Sequence, residues 1–225
     1  MSLAGARVVV SAGPTYEDLD PVRFIGNRSS GKMGFAIAAA AARRGAQTLL
    51  VAGPVHLPTP PGVTRIDVRS ARQMHDAVLD ALPADVYIGA AAVADFTPRN
   101  VAADKIKKVE GRDTLVLELV RTPDILAAVA NTPRRPRVVV GFAAETHDVI
   151  AHARGKLSRK RADLIVANDV SRTDAGFETD KNAVTIVSAD HAEDVPLQSK
   201  DAVAMRILDR VEPLLARQNP QPAVR

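Results

Sequence analysis

The chain has 225 residues, 46% hydrophobic and 25% charged, with no Cys and with 30 Lys and Arg against 26 Asp and Glu, a net charge of +4. These proportions exclude disorder, and the missing cysteines exclude a disulfide scaffold, a thiolate nucleophile and a Cys-ligated metal. The longest apolar run, Phe35–Ala42, has eight residues and aromatics make up 3% with no Trp, so no membrane span, secretory leader or nucleic-acid stacking platform is read and a cytoplasmic protein is expected.

Arg7–Val10 is a short apolar strand running into the turn Ser11-Ala12-Gly13-Pro14-Thr15. After a long turn, Gly31–Arg44 is Ala-rich with high helix propensity and stops at Gly45, and Gln47–Ala52 is a second buried strand. A strand over Thr64–Val68 precedes a helix over Ala71–Leu82 with Ser70 as its N-cap. Val86–Val93 is another apolar strand, Thr97–Val109 a polar, exposed loop, and Thr114–Val120 an edge or excursion strand. Pro123–Ala130 reads as a short helix with Pro in its first turn. Strands over Arg137–Val140 and Asp163–Ala167 flank a basic helix, His147–Arg161, and Asn182–Val187 and Ala202–Leu215 close the pattern with a strand and an amphipathic helix. Alternation of this kind predicts an α/β fold of Rossmann-like type, a mostly parallel sheet with helices on both faces and a β excursion near residues 97–122. One domain is expected over 1–225, with its core at 6–215 and a disordered tail at 216–225.

Ligands of open α/β sheets bind beyond the carboxyl ends of the strands, so the residues that follow each strand carry the search for chemistry. Gly26–Gly34 opens the Ala-rich helix, and the small residues Ser30 and Gly31 let backbone N–H groups approach a phosphate. The string Gly26…Gly31-Lys32 even fits G-x-x-x-x-G-K. Met33, however, stands where a P-loop needs a Mg²⁺-binding hydroxyl, and no G-x-G-x-x-G follows the first strand. At another strand end, Gly89, Ala90 and Ala91 let a planar ring or ribose lie on the backbone, with Asp95 at the tip as a candidate for Mg²⁺ or a ribose. Lys105, Lys107 and Lys108 follow, a solvated face or a polyphosphate clamp. Phe142 ends a further strand, as base platform or core, and Lys156 and Lys160 share one helix face. The five histidines make no metal-binding spacing, and no Ser-His-Asp constellation is visible. The residues alone support a phosphate-rich ligand with no covalent nucleophile.

Seven strings, in order, are more specific: Ser11–Thr15, Asp20-Pro21-Val22-Arg23, Asn27–Gly34, Ala91–Asp95, Asp104–Lys108, Gly141–Thr146 and Ala167–Val170. Together they resemble the phosphopantothenate–cysteine ligase family of coenzyme A biosynthesis in its bacterial, CTP-using form, over residues 6–215. The resemblance implies an acid–amine ligase for 4′-phosphopantothenate and L-cysteine that works through an acyl-cytidylate. It implies catalytic roles for Asn27 and Lys105. It places CTP at Gly89-Ala90-Ala91, Asp95, Lys105, Pro123-Asp124-Ile125-Leu126, Phe142, Lys156 and Lys160, and it brings Arg23 to the substrate phosphate. Mg²⁺ is implied on the triphosphate, with Asp95 its candidate ligand. A homodimer is implied too, the excursion near 97–122 serving as a dimerisation flap. Gly26 departs from the Ser-like residue expected before Asn27. Members of the family are commonly fused to a flavin-dependent decarboxylase. This chain begins almost at its first strand, so the ligase part alone is expected, without flavin. Two alternatives are a nucleotide-binding module without turnover and an NAD(P)-dependent oxidoreductase, the latter lacking its glycine fingerprint.

Overall fold

The computed structural model describes residues 3–108, 110–111, 113–145, 148–169 and 179–217. Its centre is an eight-stranded sheet. Strands β1 (Arg7–Ala12), β4 (Gln47–Ala52), β5 (Val63–Asp67), β6 (Val86–Gly89), β9 (Val138–Glu145) and β10 (Leu164–Asp169) are parallel. An antiparallel hairpin of β11 (Lys181–Val187) and β12 (Ala192–Ser199) completes one edge, in the order β12-β11-β10-β9-β6-β1-β4-β5. Two small hairpins stand apart from it: β2 (Tyr16–Asp18) with β3 (Phe24–Gly26), and β7 (Phe96–Pro98) with β8 (Leu119–Arg121).

Helices cover both faces because the parallel strands are apolar on both sides. On one face α1 (Lys32–Arg43) and α5 (Lys200–Arg217) bury Ile37, Ala41, Ile207 and Leu208 over Val8, Val10 and Val140. On the other, α2 (Ala71–Asp80), α3 (Ile125–Asn131) and α4 (Val149–Lys160) bury Met74, Val129 and Ala153 over Val9, Tyr87 and Ile165. Each large side chain so buried contributes roughly 1.5–3 kcal/mol. The α2 start is well made: Ser70 accepts from the Gln73 N–H, and the Gln73 side chain answers the cap backbone.

The sheet order sets the site. From β1 the chain builds outward through β4 and β5, then returns to the other side of β1 as β6 and continues outward through β9 and β10. The switch point thus lies between the carboxyl ends of β1 and β6, where two successive crossovers diverge and leave a crevice.

Several expectations are corrected here. The strand expected over Val86–Val93 ends at Gly89, although its backbone continues to pair with the β1 exit at Pro14 and Ala92. Only the end of Thr114–Val120 joins a strand, β8, whose partner β7 is three residues long; one more backbone bond, from the Arg99 N–H to the Glu118 carbonyl at 2.9 Å, follows it. Pro123 lies one position before the N-cap of α3, which is Asp124, accepting from Ala127 N at 3.0 Å. The long turn after β1 holds the β2–β3 hairpin, and β12 was not anticipated. Helix α5 runs through Arg217, two residues into the expected tail; the rest of that tail, like His147 of the expected basic helix, lies outside the described residues.

Candidate functional site at the switch point

Two cavities open side by side over the carboxyl ends of β1, β6 and β9. The first, of about 470 Å³, runs from Asn27 and the start of α1 past Ala90–Val93 and Asp95 to Asn168, Asn182 and Lys200. The second, of about 520 Å³, lies over Gly89, Ser11 and Tyr87 and is walled by Thr122–Leu126, Lys156 and Lys160. Both volumes suit a small-molecule ligand. They share Ala91, Val93, Asp95, Phe142 and Lys156, so two ligands placed in them would meet at those residues.

The loop that opens the first cavity is held by backbone conformation. Gly31, the N-cap of α1, has φ +74°, which a side chain would strain, and no side chain caps the helix there. The start of α1 lines this cavity, and the helix dipole makes that end favourable for an anion. One turn on, Gly34 lets α1 lie against β1: a Cβ added there would come within 2.4 Å of Ala12 Cβ. Asn27 sits just past β3, and its amide Nδ2 donates to the carbonyl of Val93 at 2.9 Å, tying the loop to the shared wall. The resemblance of Gly26–Lys32 to a P-loop ends here, since Gly26 pairs with Tyr16 in the small hairpin and Lys32 reaches Asp180 at 2.6 Å.

Cationic side chains surround both cavities. Lys156 Nζ donates to the Phe142 carbonyl at 2.6 Å, which fixes an ammonium at the junction. Lys160 pairs with Asp124. Burial pushes the Asp124 carboxyl up, but the Lys160 ammonium and the Ala127 N–H outweigh it, and the net shift is downward. At the far end of the first cavity Lys200, 6% exposed, donates to the carbonyl of Thr179; burial, and then the nearby Lys32, lower its pKa. Under the second cavity the Tyr87 hydroxyl, 3.0 Å from Ser11 Oγ, is pushed up to about 12 by burial and is neutral at physiological pH. The Asp95 carboxylate is exposed at the junction, and among the described residues it has no hydrogen-bond or ion-pair partner. The lysines around the two cavities would favour an anionic ligand, and the chain has no thiol to act as nucleophile.

Most residues selected from sequence meet here. Asn27, Ser30, Gly31 and Ala90 line the first cavity; Gly89, Pro123, Asp124, Ile125, Leu126 and Lys160 line the second; Ala91, Asp95, Phe142 and Lys156 line both. Two stand elsewhere. Arg23 lines neither cavity; its guanidinium is held by Asp20 and by the carbonyl of Ile106. Lys105 is exposed on the neighbouring loop and lines neither cavity either. Sequence reasoning missed Lys200, Asn182 and the Ser11–Tyr87 pair. Asn168 stood in a quoted string at a strand end, and following β10 to its carboxyl end could have singled it out; its buried Oδ1 has no hydrogen-bond partner among the described residues. Asn182 is the second residue of β11 on the antiparallel edge and Lys200 the first of α5, where no rule about strand ends directs attention.

Comparison with known proteins places the chain in a family. A family model described as the DNA/pantothenate metabolism flavoprotein C-terminal domain matches residues 3–214. The coenzyme A biosynthesis bifunctional protein CoaBC of Vibrio cholerae is 53% identical over 207 residues, covering 92% of this chain and 52% of that protein. The CoaBC of Escherichia coli K12 is 50% identical over 206 residues, covering 91% of this chain and 51% of that protein. The chain thus spans about half the length of the curated relatives it matches. A crystal structure of the C-terminal domain of CoaBC superposes with a TM-score of 0.81 at 40% identity, covering 95% of this chain and 97% of the other. A Cab2 mutant in complex with phosphopantothenate-cysteine, 18% identical, shares the fold with a TM-score of 0.76 over 95% of this chain and 88% of its own. This chain therefore belongs to the DNA/pantothenate metabolism flavoprotein C-terminal domain family.

Proposed function

We propose that the chain is a ligase that joins 4′-phosphopantothenate to L-cysteine at the expense of CTP, giving 4′-phosphopantothenoylcysteine, CMP and pyrophosphate. One observation carries the reading: two adjoining cavities that meet at Asp95, Phe142 and Lys156 supply places for an acid and a nucleotide with their reacting ends together. The sequence relatives named for coenzyme A biosynthesis support the choice of substrates.

In the first half-reaction a carboxylate oxygen of phosphopantothenate attacks the α-phosphorus of CTP, and the bond to the bridging oxygen of pyrophosphate breaks. In the second, the cysteine amine attacks the acyl carbon, loses a proton, and CMP leaves with the carbon–oxygen bond electrons. Neither step needs a protein nucleophile, so the chain's work is positioning and charge compensation. CTP occupies the second cavity, its base on the backbone of Gly89–Ala91 and against Pro123–Leu126, its α-phosphate toward Lys156. The acid occupies the first, its carboxylate beside Asn27, whose neutral amide adds no repulsion to the mixed anhydride. Lys105, exposed on the loop beside the cavities, would bring a compact ammonium toward the departing pyrophosphate. Mg²⁺ fits only modestly: among the described residues no three His, Asp or Glu side chains converge, but Mg²⁺ that arrives on phosphates keeps most of its waters and needs one or two carboxylates, which the open Asp95 would supply. That ion would neutralise phosphate charge.

A homodimer and fusion to a flavin-dependent decarboxylase belong to the same reading, as does a cytoplasmic location. Val22 at 61% exposure, Phe96 at 47% and Val116 at 87% leave apolar surface on the hairpin and excursion that supports pairing with a second copy. No helix among the described residues is long and apolar enough to cross a membrane. The test is to mix the purified chain with phosphopantothenate, CTP and cysteine and measure product, CMP and pyrophosphate together. Equimolar formation is expected. Failure to form the amide with any nucleotide would overturn the reading.

A further inference from the structure

The loop that carries Lys105 is fastened to the molecule at Ile106 through both of that residue's backbone polar groups, and the fastening is built into the turn of the β2–β3 hairpin. The Ile106 N–H donates to Asp20 Oδ2 at 3.0 Å, and the Ile106 carbonyl accepts from the Arg23 guanidinium at 2.8 Å. Both polar backbone groups of one loop residue are thus taken by one Asp–Arg pair. The pair is itself well determined. Asp20 is 1% exposed; its Oδ1 accepts from the N–H groups of Val22 and Arg23 at 2.9 and 2.8 Å, while Oδ2 takes Arg23 Nε at 3.0 Å as well as Ile106. One carboxylate oxygen holds the hairpin turn, the other holds the loop. A second tie, Ala102 N–H to the Leu19 carbonyl at 3.0 Å, fixes the loop's approach to the same turn.

The hairpin is a firm base for such a clamp. Buried Glu17 accepts from Ala71 N–H at the start of α2 at 2.8 Å, Arg69 grips Asp18, and Tyr16 and Phe24 stack with ring centroids 3.9 Å apart. Its exit strand runs directly into Asn27. One hairpin therefore presents Asn27 from its exit and, through the turn, the loop on which Lys105 and Lys107 stand exposed on either side of the half-buried Ile106.

We propose that Asp20 and Arg23 are positioning residues: they clamp the Ile106 backbone so that Lys105 is held in a fixed place relative to Asn27. This rests on the role given to Lys105 above. Charge-assisted hydrogen bonds of this kind are strong and directional, and misplacing a catalytic group by about 1 Å can cost on the order of 10²-fold in rate.

The test uses the full chain and the variant Asp20→Asn, which keeps Oδ1 for the turn but replaces the loop-facing oxygen with an NH₂ that cannot accept from Ile106. Limited trypsin digestion, mapped by mass spectrometry, reads the clamp without reference to activity. Cleavage at Lys105, Lys107 and Lys108 should quicken at least about tenfold, with other sites unchanged. Pyrophosphate release should fall by about 10- to 100-fold, and Asp20→Asn/Lys105→Gln should be no slower than Lys105→Gln alone, a non-additivity that a merely structural role would not produce. Ile106→Pro, which deletes the N–H without touching the hairpin, serves if Asp20→Asn fails to fold: it should reproduce the slower pyrophosphate release and the faster cleavage at Lys107 and Lys108, the bond after Lys105 becoming resistant to trypsin once Pro follows it. Unchanged loop cleavage in a folded variant overturns the clamp. Faster cleavage with unchanged or additive activity overturns the positioning of Lys105. Full activity in Lys105→Gln overturns the role of that lysine while the digestion still decides the clamp.

Discussion

Replacing Gly34 with Ala is the sharpest mechanical perturbation of the site. The new Cβ would lie 2.4 Å from Ala12 Cβ and 3.2 Å from Ala12 Cα, whereas ordinary contact begins at 3.4 Å. Relief requires the first turn of α1 to retreat from β1 by about 1 Å, since neither partner is a flexible side chain. Overpacking of this kind costs about 1–3 kcal/mol, and the better helix propensity of Ala returns about 0.5–1 kcal/mol. A net loss of roughly 0.5–2 kcal/mol should lower Tm by a few degrees in a chain of this size. The functional loss should be larger. The retreating turn carries Gly31 and the loop back to Asn27, and a 1 Å misplacement costs on the order of 10²-fold in kcat/KM. Thermal melts and pyrophosphate release together read both effects. Ala12→Gly in the same chain removes the nearest atom and should restore most of the rate. A Gly34→Ala chain as stable and as active as the parent would refute the close packing of α1 on β1 as the source of loop placement.

Asn27→Asp removes the N–H that reaches Val93 and sets a carboxylate beside the mixed anhydride; rapid-quench analysis with labelled CTP should show acyl-cytidylate forming to some degree and little product on adding cysteine. Since Gly31, not residue 27, caps α1, preserved helix capping cannot rescue it. CTP should be preferred to ATP by at least about 10²-fold in kcat/KM, because a site that reads the base through backbone hydrogen bonds rejects an analogue that leaves them unpaired; equal values would show that the base is not read. The depressed pKa of Asp124 predicts the acid limb of stability: its pairing with Lys160 contributes fully above the unfolded value of 3.8 and is lost as pH falls through the lower folded value. In thermal melts across that range the advantage of the parent over Lys160→Met should therefore persist at neutral pH and shrink in acid.

Much of this architecture is written locally. Arg7–Ala12, Gln47–Ala52 and Leu164–Asp169 are short runs centred on β-branched and apolar residues, the pattern of buried parallel strands, and the Ala-rich α1 announces itself by propensity. Ser70 and Gln73 mark the start of α2 because a capping box is a purely local device. What escaped depends on distant partners. β12 buries little beyond Val195 and carries Pro196, as an edge strand can, so it has no apolar pattern to read. β2, β3 and β7 are three residues each, too short for any period. The strand ends drew attention to Gly89–Ala91, Asp95 and Phe142, and those residues do line the crevice. Lys200 and the Asp20–Arg23 clamp did not emerge. Their significance lies in contacts across 21 and 83 or more positions, which a linear pattern of residue types does not encode.

The central claim, that an acid and a nucleotide react across the junction of the two cavities before cysteine is involved, is tested most directly by a single-turnover experiment with cysteine withheld. With phosphopantothenate and CTP present, the account predicts close to one pyrophosphate per active site, dependent on phosphopantothenate, and CMP released only when cysteine is added. Inorganic phosphate and CDP in place of pyrophosphate, or no cleavage of CTP until cysteine arrives, would contradict it.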